Sequence, residues 1–304
     1  MKYGTSIFHL FNPRSEEHAI ALSRAGVTDG ADGICLELLD FPPELRTVDV
    51  FRRIIAATPV PKIFCDYRND KFFAADDDAR MASLLKAAEA GADYIDVMGD
   101  LYDPVSDQLS FDVRAVERQK RTIDDVHSLG SKVLMSSHVL QRSLKSDEAV
   151  SFLRAQAERG ADVCKLVSMM HTLSDFNEGV MALSALRTGF GRPWIFLGGG
   201  VYGRLQRFIG PSFGCAVEFA VHDYEPENPY DQPTIRSFRL AMDALAWQAP
   251  KEVEPIREYG CQMERVEERQ SFRRSGEVHS EITGVGRLGA CAGTVPDGSC
   301  CFST

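Results

Sequence analysis

Short apolar segments rich in β-forming residues recur along the chain before Pro250, and longer amphipathic segments lie between them. Nearly continuous apolar strands are typical of a parallel sheet that is covered on both faces. Eight strands alternating with helices within about 250 residues predict a closed (β/α)8 barrel, the TIM-barrel fold, rather than an open sheet. The eight predicted strands are Ser6–Phe8, Ile34–Leu38, Lys62–Tyr67, Tyr94–Val97, Lys132–Ser136, Val163–Val167, Trp194–Leu197 and Cys215–Val221.

The segments between these strands carry apolar residues at helical spacing. Gly91, Gly130 and Gly160 each lie between a helix and the next strand, where a left-handed cap is favoured. The acidic run Asp76–Asp78 precedes a helix, so we interpret it as N-capping and dipole complementation rather than as a metal cluster. The predicted helices are Glu16–Ala25, Asp78–Ala90, Val113–Ser128, Asp147–Arg159, Asp175–Leu186 and Thr234–Trp247.

The end of the barrel pattern divides the chain into a catalytic barrel, residues 1–249, and a C-terminal extension, residues 250–304. Pro250–Phe272 is compatible with an extra helix. No core periodicity is visible after Arg274, so we expect the remainder to be largely flexible. A modified or recognised peptide that uses Cys300-Cys301 is the alternative interpretation of this tail.

Composition excludes several classes of protein. A net charge of −10 disfavours nonspecific binding to nucleic acid, and no apolar run approaches the length of a membrane span. Met1–Pro13 lacks the pattern of a signal peptide, and 8 cysteines are too few for a disulfide scaffold. No C-x-x-C pair is present. We therefore expect a cytoplasmic enzyme for a small molecule, without a metal or cofactor and with a homodimer as a possible assembly.

One glycine-rich segment matches a dinucleotide-binding pattern. Gly198-Gly-Gly-Val-Tyr-Gly203 has the spacing G-x-G-x-x-G, with the acidic Glu218 further on. Glu218 falls inside the next strand, and the motif follows the seventh of eight strands, so we reject the dinucleotide interpretation. We expect these glycines to let the backbone pass close to a ligand.

In (β/α)8 barrels the active site lies at the C-terminal ends of the strands. Lys165 lies within an apolar strand, where a charged ammonium costs several kcal/mol to desolvate unless it is paired or neutral. Burial lowers a lysine's pKa, and a neutral amine attacks a ketone to form a Schiff base. The alternative is a lysine that reaches solvent from a strand edge or pairs with a carboxylate. Other polar residues near strand ends are Glu37, Asp66, Arg68, Asp96, Ser136, Ser137 and His138.

Two further side chains complete the candidate site. His138 ends the strand next to that of Lys165, so its imidazole can face the amine and act as a general acid and base. Alone, it would more often be a structural histidine. Arg207 follows the seventh strand and suits a substrate carboxylate held by two hydrogen bonds. A surface ion pair is the alternative, and it is the interpretation we favour for Arg204.

Three segments, in order, resemble type I 3-dehydroquinate dehydratase, a Schiff-base (β/α)8 lyase of the shikimate pathway of aromatic amino acid biosynthesis. They are Lys132–His138, Gly160–Asp175 and Gly203–Gly214. The resemblance implies that Lys165 forms an imine with the substrate ketone and that His138 removes the adjacent proton. His138 then returns the proton to the departing hydroxyl, so that 3-dehydroquinate becomes 3-dehydroshikimate.

The resemblance also implies four substrate-binding residues. Arg207 and Gln232 would hold the substrate carboxylate, and Glu37 and Arg68 would hold the ring hydroxyls. The match at Gln232 is looser, because the lid loop before it differs in length and reads Asn-Pro-Tyr-Asp-Gln instead of Ser-Ala-Pro-Gly-Gln.

Two other departures bear on the substrate. Leu39 stands where the family has an arginine, and Phe72-Phe73-Ala74 stands where it has Glu-Gly-Gly. Three hypotheses follow: 3-dehydroquinate dehydratase itself, a diverged Schiff-base lyase or aldolase for a less polar β-hydroxy ketone, and a non-catalytic relict that binds a metabolite. The presence of both Lys165 and His138 argues against the relict, because a binding protein does not need a buried amine.

Overall fold

The computed structural model describes residues 4–224 and 232–245, in which strands and helices alternate. The predicted extension, residues 250–304, lies outside the described residues, as does most of the predicted lid, residues 225–231. A short 3-10 helix, Pro43–Leu45, precedes the second α-helix. The strands are β1 Ser6–Phe11, β2 Gly33–Glu37, β3 Lys62–Cys65, β4 Tyr94–Met98, β5 Lys132–Val139, β6 Val163–Met169, β7 Trp194–Gly199 and β8 Val217–Ala220. The helices are α1 Glu16–Thr28, α2 Val48–Ala56, α3 Asp77–Glu89, α4 Val113–Ser128, α5 Ser146–Glu158, α6 Leu173–Gly189, α7 Gly203–Phe213 and α8 Ile235–Leu245.

The eight strands form one parallel sheet in the order β7-β6-β5-β4-β3-β2-β1-β8. Ladder pairing is continuous from β8 through β1 to β7, and a backbone hydrogen bond of 2.8 Å from Ala216 N to Trp194 O links the starts of β7 and β8. The sheet is thus a nearly closed barrel, and the predicted (β/α)8 fold is confirmed. None of the described helices combines the length and apolar character needed to cross a membrane.

Helix α2 is one of two described α-helices, with α7, whose bounds the sequence analysis did not predict. Its buried residues Val50, Phe51 and Ile54 lie at helical spacing and pack into the core. Thr47 caps its first turn by accepting a hydrogen bond from Val50 N at 3.3 Å. The helix has only 9 residues, so its pattern of apolar residues at helical spacing is too short to stand out in the sequence.

The predicted helix caps are confirmed. Gly91, Gly130 and Gly160 have φ values of +98°, +88° and +109°, the left-handed conformation that glycine adopts without steric cost. Asp76 caps α3 by accepting a hydrogen bond from Ala79 N at 3.0 Å. The acidic run therefore begins a helix, as predicted.

The glycine run after β7 allows a close contact between a strand and a helix. A Cβ on Gly203 would lie 2.7 Å from the carbonyl of Gly198, and a Cβ on Gly198 would lie 2.8 Å from the Cα of Gly203. Any larger residue at either position must therefore move backbone atoms. These two glycines therefore allow the close contact between β7 and α7, a role that the sequence analysis did not name.

A buried arginine ties together the loops that follow β2 and β3. The guanidinium of Arg46, only 1% exposed, donates from Nη1 to Asp66 Oδ2 at 2.9 Å and to Asp70 Oδ2 at 2.7 Å. Its Nε and Nη2 donate to the carbonyl oxygens of Phe41 and Leu38 at 2.8 and 2.7 Å. These four hydrogen bonds hold the two loops together.

We predict that Arg46→Met lowers the free energy of unfolding by about 3–5 kcal/mol, because it leaves buried carboxylates without their cation. Arg52→Met is the matched control, because Arg52 pairs with Asp49 at the surface and is 58% exposed. The control should change stability by no more than about 1 kcal/mol. Urea denaturation followed by circular dichroism measures both, and equal losses would contradict the prediction.

Candidate active site

Strand β6 places Lys165 inside the barrel, where the lysine is only 7% exposed to solvent. Its Nζ donates to Tyr67 Oη at 3.0 Å and lies 3.9 Å from Asp96 Oδ2. On its apolar side, Nζ lies 4.9 Å from the centre of the Phe219 ring. The lysine is therefore buried, as predicted, and it also pairs with a carboxylate, which the sequence analysis had given as the alternative.

Asp96 is the acceptor at the centre of this cluster. Tyr67 Oη donates to its Oδ2 at 2.8 Å, and Ser136 Oγ donates to its Oδ1 at 2.6 Å. Burial raises the pKa of Asp96, while the nearby Lys165 ammonium opposes that rise. Burial also raises the pKa of Tyr67, which therefore stays protonated at neutral pH. The phenol thus lies between an amine and a carboxylate and can pass a proton from one to the other.

Glu37 ends β2 and is half-buried. Burial raises its pKa to about 7, Lys165 acts to lower that pKa, and Asp96 acts to raise it. Near neutral pH the carboxyl group is therefore present in both forms. No described residue hydrogen-bonds its carboxyl oxygens, so they are available to a bound molecule.

His138, near the end of β5, lies beside the lysine cluster. Its ring centre is 5.1 Å from that of Tyr67, and the two rings meet edge to face at 87°. Burial lowers the pKa of His138 well below its usual value, and the positive charges of Lys165 and Arg207 lower it further. The imidazole is therefore neutral at physiological pH, the form that can accept a proton.

The structure separates the two arginines of α7. Arg207 is 3% exposed, and its Nε donates to the carbonyl oxygen of Gly198 at 2.9 Å. Gly198 lies near the C-terminal end of β7, so Arg207 is at the same end of the barrel as His138, and its charge lowers the pKa of His138. Arg204 is exposed, with its guanidinium 5.8 Å from the centre of the Tyr224 ring.

Arg68 and Gln232 are the other two residues expected to bind substrate. Arg68 donates from Nη1 to Asp100 Oδ2 at 2.8 Å, and from Nε and Nη2 to the carboxylate of Asp77 at 3.1 and 2.9 Å. Nη2 also donates to the backbone oxygen of Asp100 at 2.9 Å. A substrate hydroxyl would have to compete with both carboxylates. Gln232 is half-buried and immediately follows residues 225–231, which are outside the described part of the chain.

Two polar residues of the site were missed by sequence reasoning, and the role of a third was not assigned. Tyr67 lies two residues beyond the end of β3, in alternation with Ile63 and Cys65, so period-two spacing could have placed it inside the barrel. Asp96 was noted at a strand end without a role. Gln108, which hydrogen-bonds His138, lies in the loop between β4 and α4 and carries no sequence signal.

The model of the type I 3-dehydroquinase family matches residues 13–247. The chain belongs to the type I 3-dehydroquinase family. Among its curated relatives is a 3-dehydroquinate dehydratase of Klebsiella pneumoniae, 28% identical over 172 residues that cover 56% of this chain and 62% of the relative. Another is the chloroplastic bifunctional 3-dehydroquinate dehydratase/shikimate dehydrogenase of Arabidopsis thaliana, 25% identical over 210 residues that cover 68% of this chain and 32% of that protein.

The match thus spans less than two thirds of the length of these two dehydroquinase relatives. The solved 3-dehydroquinate dehydratase of Enterococcus faecalis has the same fold, with a TM-score of 0.66 and 17% identity. That likeness covers 80% of this chain and 95% of the other. The family resemblance inferred from the Lys165 and His138 segments is confirmed.

We predict that Lys165→Met raises the pKa of Glu37 above about 7, because the substitution removes the cation that lowers it. A 13C NMR titration of the Glu37 carboxyl group, assigned through its loss in Glu37→Gln, measures the shift. Lys71→Met is the control, because Lys71 is exposed and pairs with Asp40, and it should leave the titration unchanged. An unchanged midpoint in Lys165→Met would show that the two side chains do not interact.

Proposed function

We propose that this member of the type I 3-dehydroquinase family dehydrates 3-dehydroquinate to 3-dehydroshikimate through a Schiff base on Lys165. The observation that carries the proposal is the buried Lys165 amine, hydrogen-bonded at 3.0 Å to Tyr67 and flanked by a neutral His138 on the adjacent strand. The proposed enzyme is cytoplasmic, needs no metal or cofactor, and has a homodimer as a possible assembly.

Imine formation uses the proton path around the lysine. The Lys165 ammonium gives one proton through Tyr67 to Asp96, and the free amine attacks the substrate ketone. The same proton then returns to the hydroxyl of the carbinolamine, which leaves as water. An iminium ion remains on Lys165, and its positive charge acidifies the neighbouring C–H bond of the substrate.

The elimination step uses His138 twice. The neutral imidazole takes the acidified proton, and the electron pair forms an enamine with the iminium carbon. The enamine expels the β-hydroxyl, which receives that proton from the imidazolium and leaves as a second water. Hydrolysis of the product imine consumes one water, so the overall reaction loses one water and regenerates the amine.

Substrate binding is assigned to the groups around this centre. The guanidinium of Arg207 and the amide of Gln232 hold the substrate carboxylate, and Glu37 accepts a hydrogen bond from a ring hydroxyl. Arg68 would contribute from the edge of the site, while it remains bound to Asp77 and Asp100. Among these residues, Arg68 is therefore proposed to contribute least to binding the substrate ring.

The environment of Arg68 favours a second candidate with the same chemistry. Four of its hydrogen bonds go to Asp77 and Asp100, Phe72 in the same loop is 48% exposed, and Leu39 is apolar. These features suit a β-hydroxy ketone with fewer hydroxyl groups, cleaved or dehydrated through the same imine. The two candidates differ in substrate and share Lys165 and His138.

We predict that incubation with 3-dehydroquinate and borohydride adds a ligand-sized mass to the protein, and that Lys165→Ala abolishes the addition. Borohydride reduces the iminium to a stable secondary amine, so intact-mass spectrometry detects it. Lys86→Ala, on the exposed face of α3, is the matched control and should retain the adduct.

The outcomes separate the candidates. An adduct together with steady-state formation of the conjugated enone supports the dehydratase. Adducts formed only with less polar β-hydroxy ketones would support the second candidate. A folded protein that forms no adduct with any member of such a panel would contradict both and favour a relict that only binds metabolites.

We predict that Tyr67→Phe lowers kcat by about 10- to 100-fold, because it removes the hydroxyl between the amine and Asp96. The loss should appear as slower imine formation in single-turnover trapping, with KM changed much less. Tyr94→Phe is the control, since Tyr94 lies at the start of β4, at the opposite end of the barrel. Equal kinetics for Tyr67→Phe and the wild type would exclude the phenol from proton transfer.

A further inference from the structure

Gln108 is held in an unusual backbone conformation beside the candidate site. Its φ of +52° lies in the left-handed region, which non-glycine residues rarely adopt and which occurs often at functional sites. Its carbonyl oxygen accepts a hydrogen bond from the buried Ser137 Oγ at 2.6 Å, and its own N–H donates to Val105 O at 3.1 Å. Gln156 in turn donates to Ser137 Oγ at 3.0 Å. The position of Gln108 is therefore fixed from two sides.

The side chain of Gln108 makes two contacts with one residue. Its Oε1 accepts a hydrogen bond from the backbone N–H of His138 at 3.1 Å and lies 2.9 Å from His138 Nδ1. A backbone N–H can only donate, so the atom that faces it is the amide oxygen and not the amide nitrogen. An amide oxygen can only accept. The proton of the neutral imidazole must therefore be on Nδ1.

We propose that Gln108 is a positioning residue that holds His138 in the Nδ1–H tautomer, so that the lone pair of Nε2 is the base of the reaction. The inference rests on the proposed function for the role of His138 as the base. It adds the group that decides which ring nitrogen can act.

The neutral charge of Gln108 also matters. The titratable groups near His138 are Tyr67 just after β3, Lys165 on β6 and Arg207 on α7, of which two are cations. A carboxylate at the position of Gln108 would stabilise the imidazolium and oppose these cations. The amide orients the ring without adding charge, so His138 remains a neutral base over a wide range of pH.

The first measurement is the 15N NMR spectrum of His138 in the wild-type protein at neutral pH, where the tautomer is read directly. We expect the Nδ1–H form. In Gln108→Met, which keeps the length of the side chain and removes the acceptor, we expect a mixture of tautomers. We also expect kcat with 3-dehydroquinate to fall by about 10- to 100-fold, with KM within about twofold.

The second measurement is the pH profile of Gln108→Glu. The new carboxylate should move the acidic limb of kcat/KM upward by about one pH unit or more, since His138 must lose its proton before it can act. Gln141→Glu adds the same charge at an exposed position in the loop that follows β5, and it should leave the profile almost unchanged. Thermal melts of each variant verify folding.

The results discriminate between this inference and the proposed function. An Nε2–H tautomer in the wild type overturns the inference, whatever the activity. Unchanged tautomer and kcat in a folded Gln108→Met also overturn it, as does an equal pH shift in Gln108→Glu and Gln141→Glu. Borohydride trapping on the wild type tests the imine chemistry separately, because it does not depend on which nitrogen of His138 carries the proton.

Discussion

The contact on which the site depends is that between the buried Lys165 ammonium and the Asp96 carboxylate, bridged by the hydroxyl of Tyr67. Without a partner, a cation inside the barrel would lose its hydration, and contacts with its apolar neighbours would not offset that desolvation cost. Tyr67 lies just after β3, Asp96 lies on β4, and Ser136 on β5 donates a further hydrogen bond to Asp96. Four neighbouring strands therefore need correct register before this lysine can be buried, so folding and the assembly of the site are coupled.

Burial acts with opposite sign on the acids and the bases of the site. It raises the pKa of Glu37 to about 7 and lowers that of His138, so both groups favour their neutral forms. Burial also raises the pKa of Asp96, while the Lys165 ammonium and the hydroxyl groups of Ser136 and Tyr67 limit that rise. A set of groups brought toward neutrality can exchange protons at little cost in free energy, as the proposed imine chemistry requires.

The sequence predicted much of the fold because parallel strands and their covering helices have distinct periodicities. The sequence singled out Lys165 as a candidate site residue because a charged side chain is unfavourable within an apolar strand. Tyr67 was missed, since a tyrosine in a strand is compatible with ordinary core packing. Gln108 could not be found because its role depends on the conformation of a loop. The hydrogen bonds of Arg68 to Asp77 and Asp100, 9 and 32 residues further along the chain, depend on how the loops fold, and no local pattern predicts them.

The groups proposed to carry the chemistry and the groups that vary from the family lie on different kinds of element. Lys165, Asp96 and His138 belong to strands, whereas Phe72 belongs to a loop at the rim, where its side chain is 48% exposed. Substitutions in such a loop can change the shape and polarity of the entrance while the strands keep their register. A barrel of this construction can acquire a new substrate by small steps, each of which leaves the buried Lys165 amine in place.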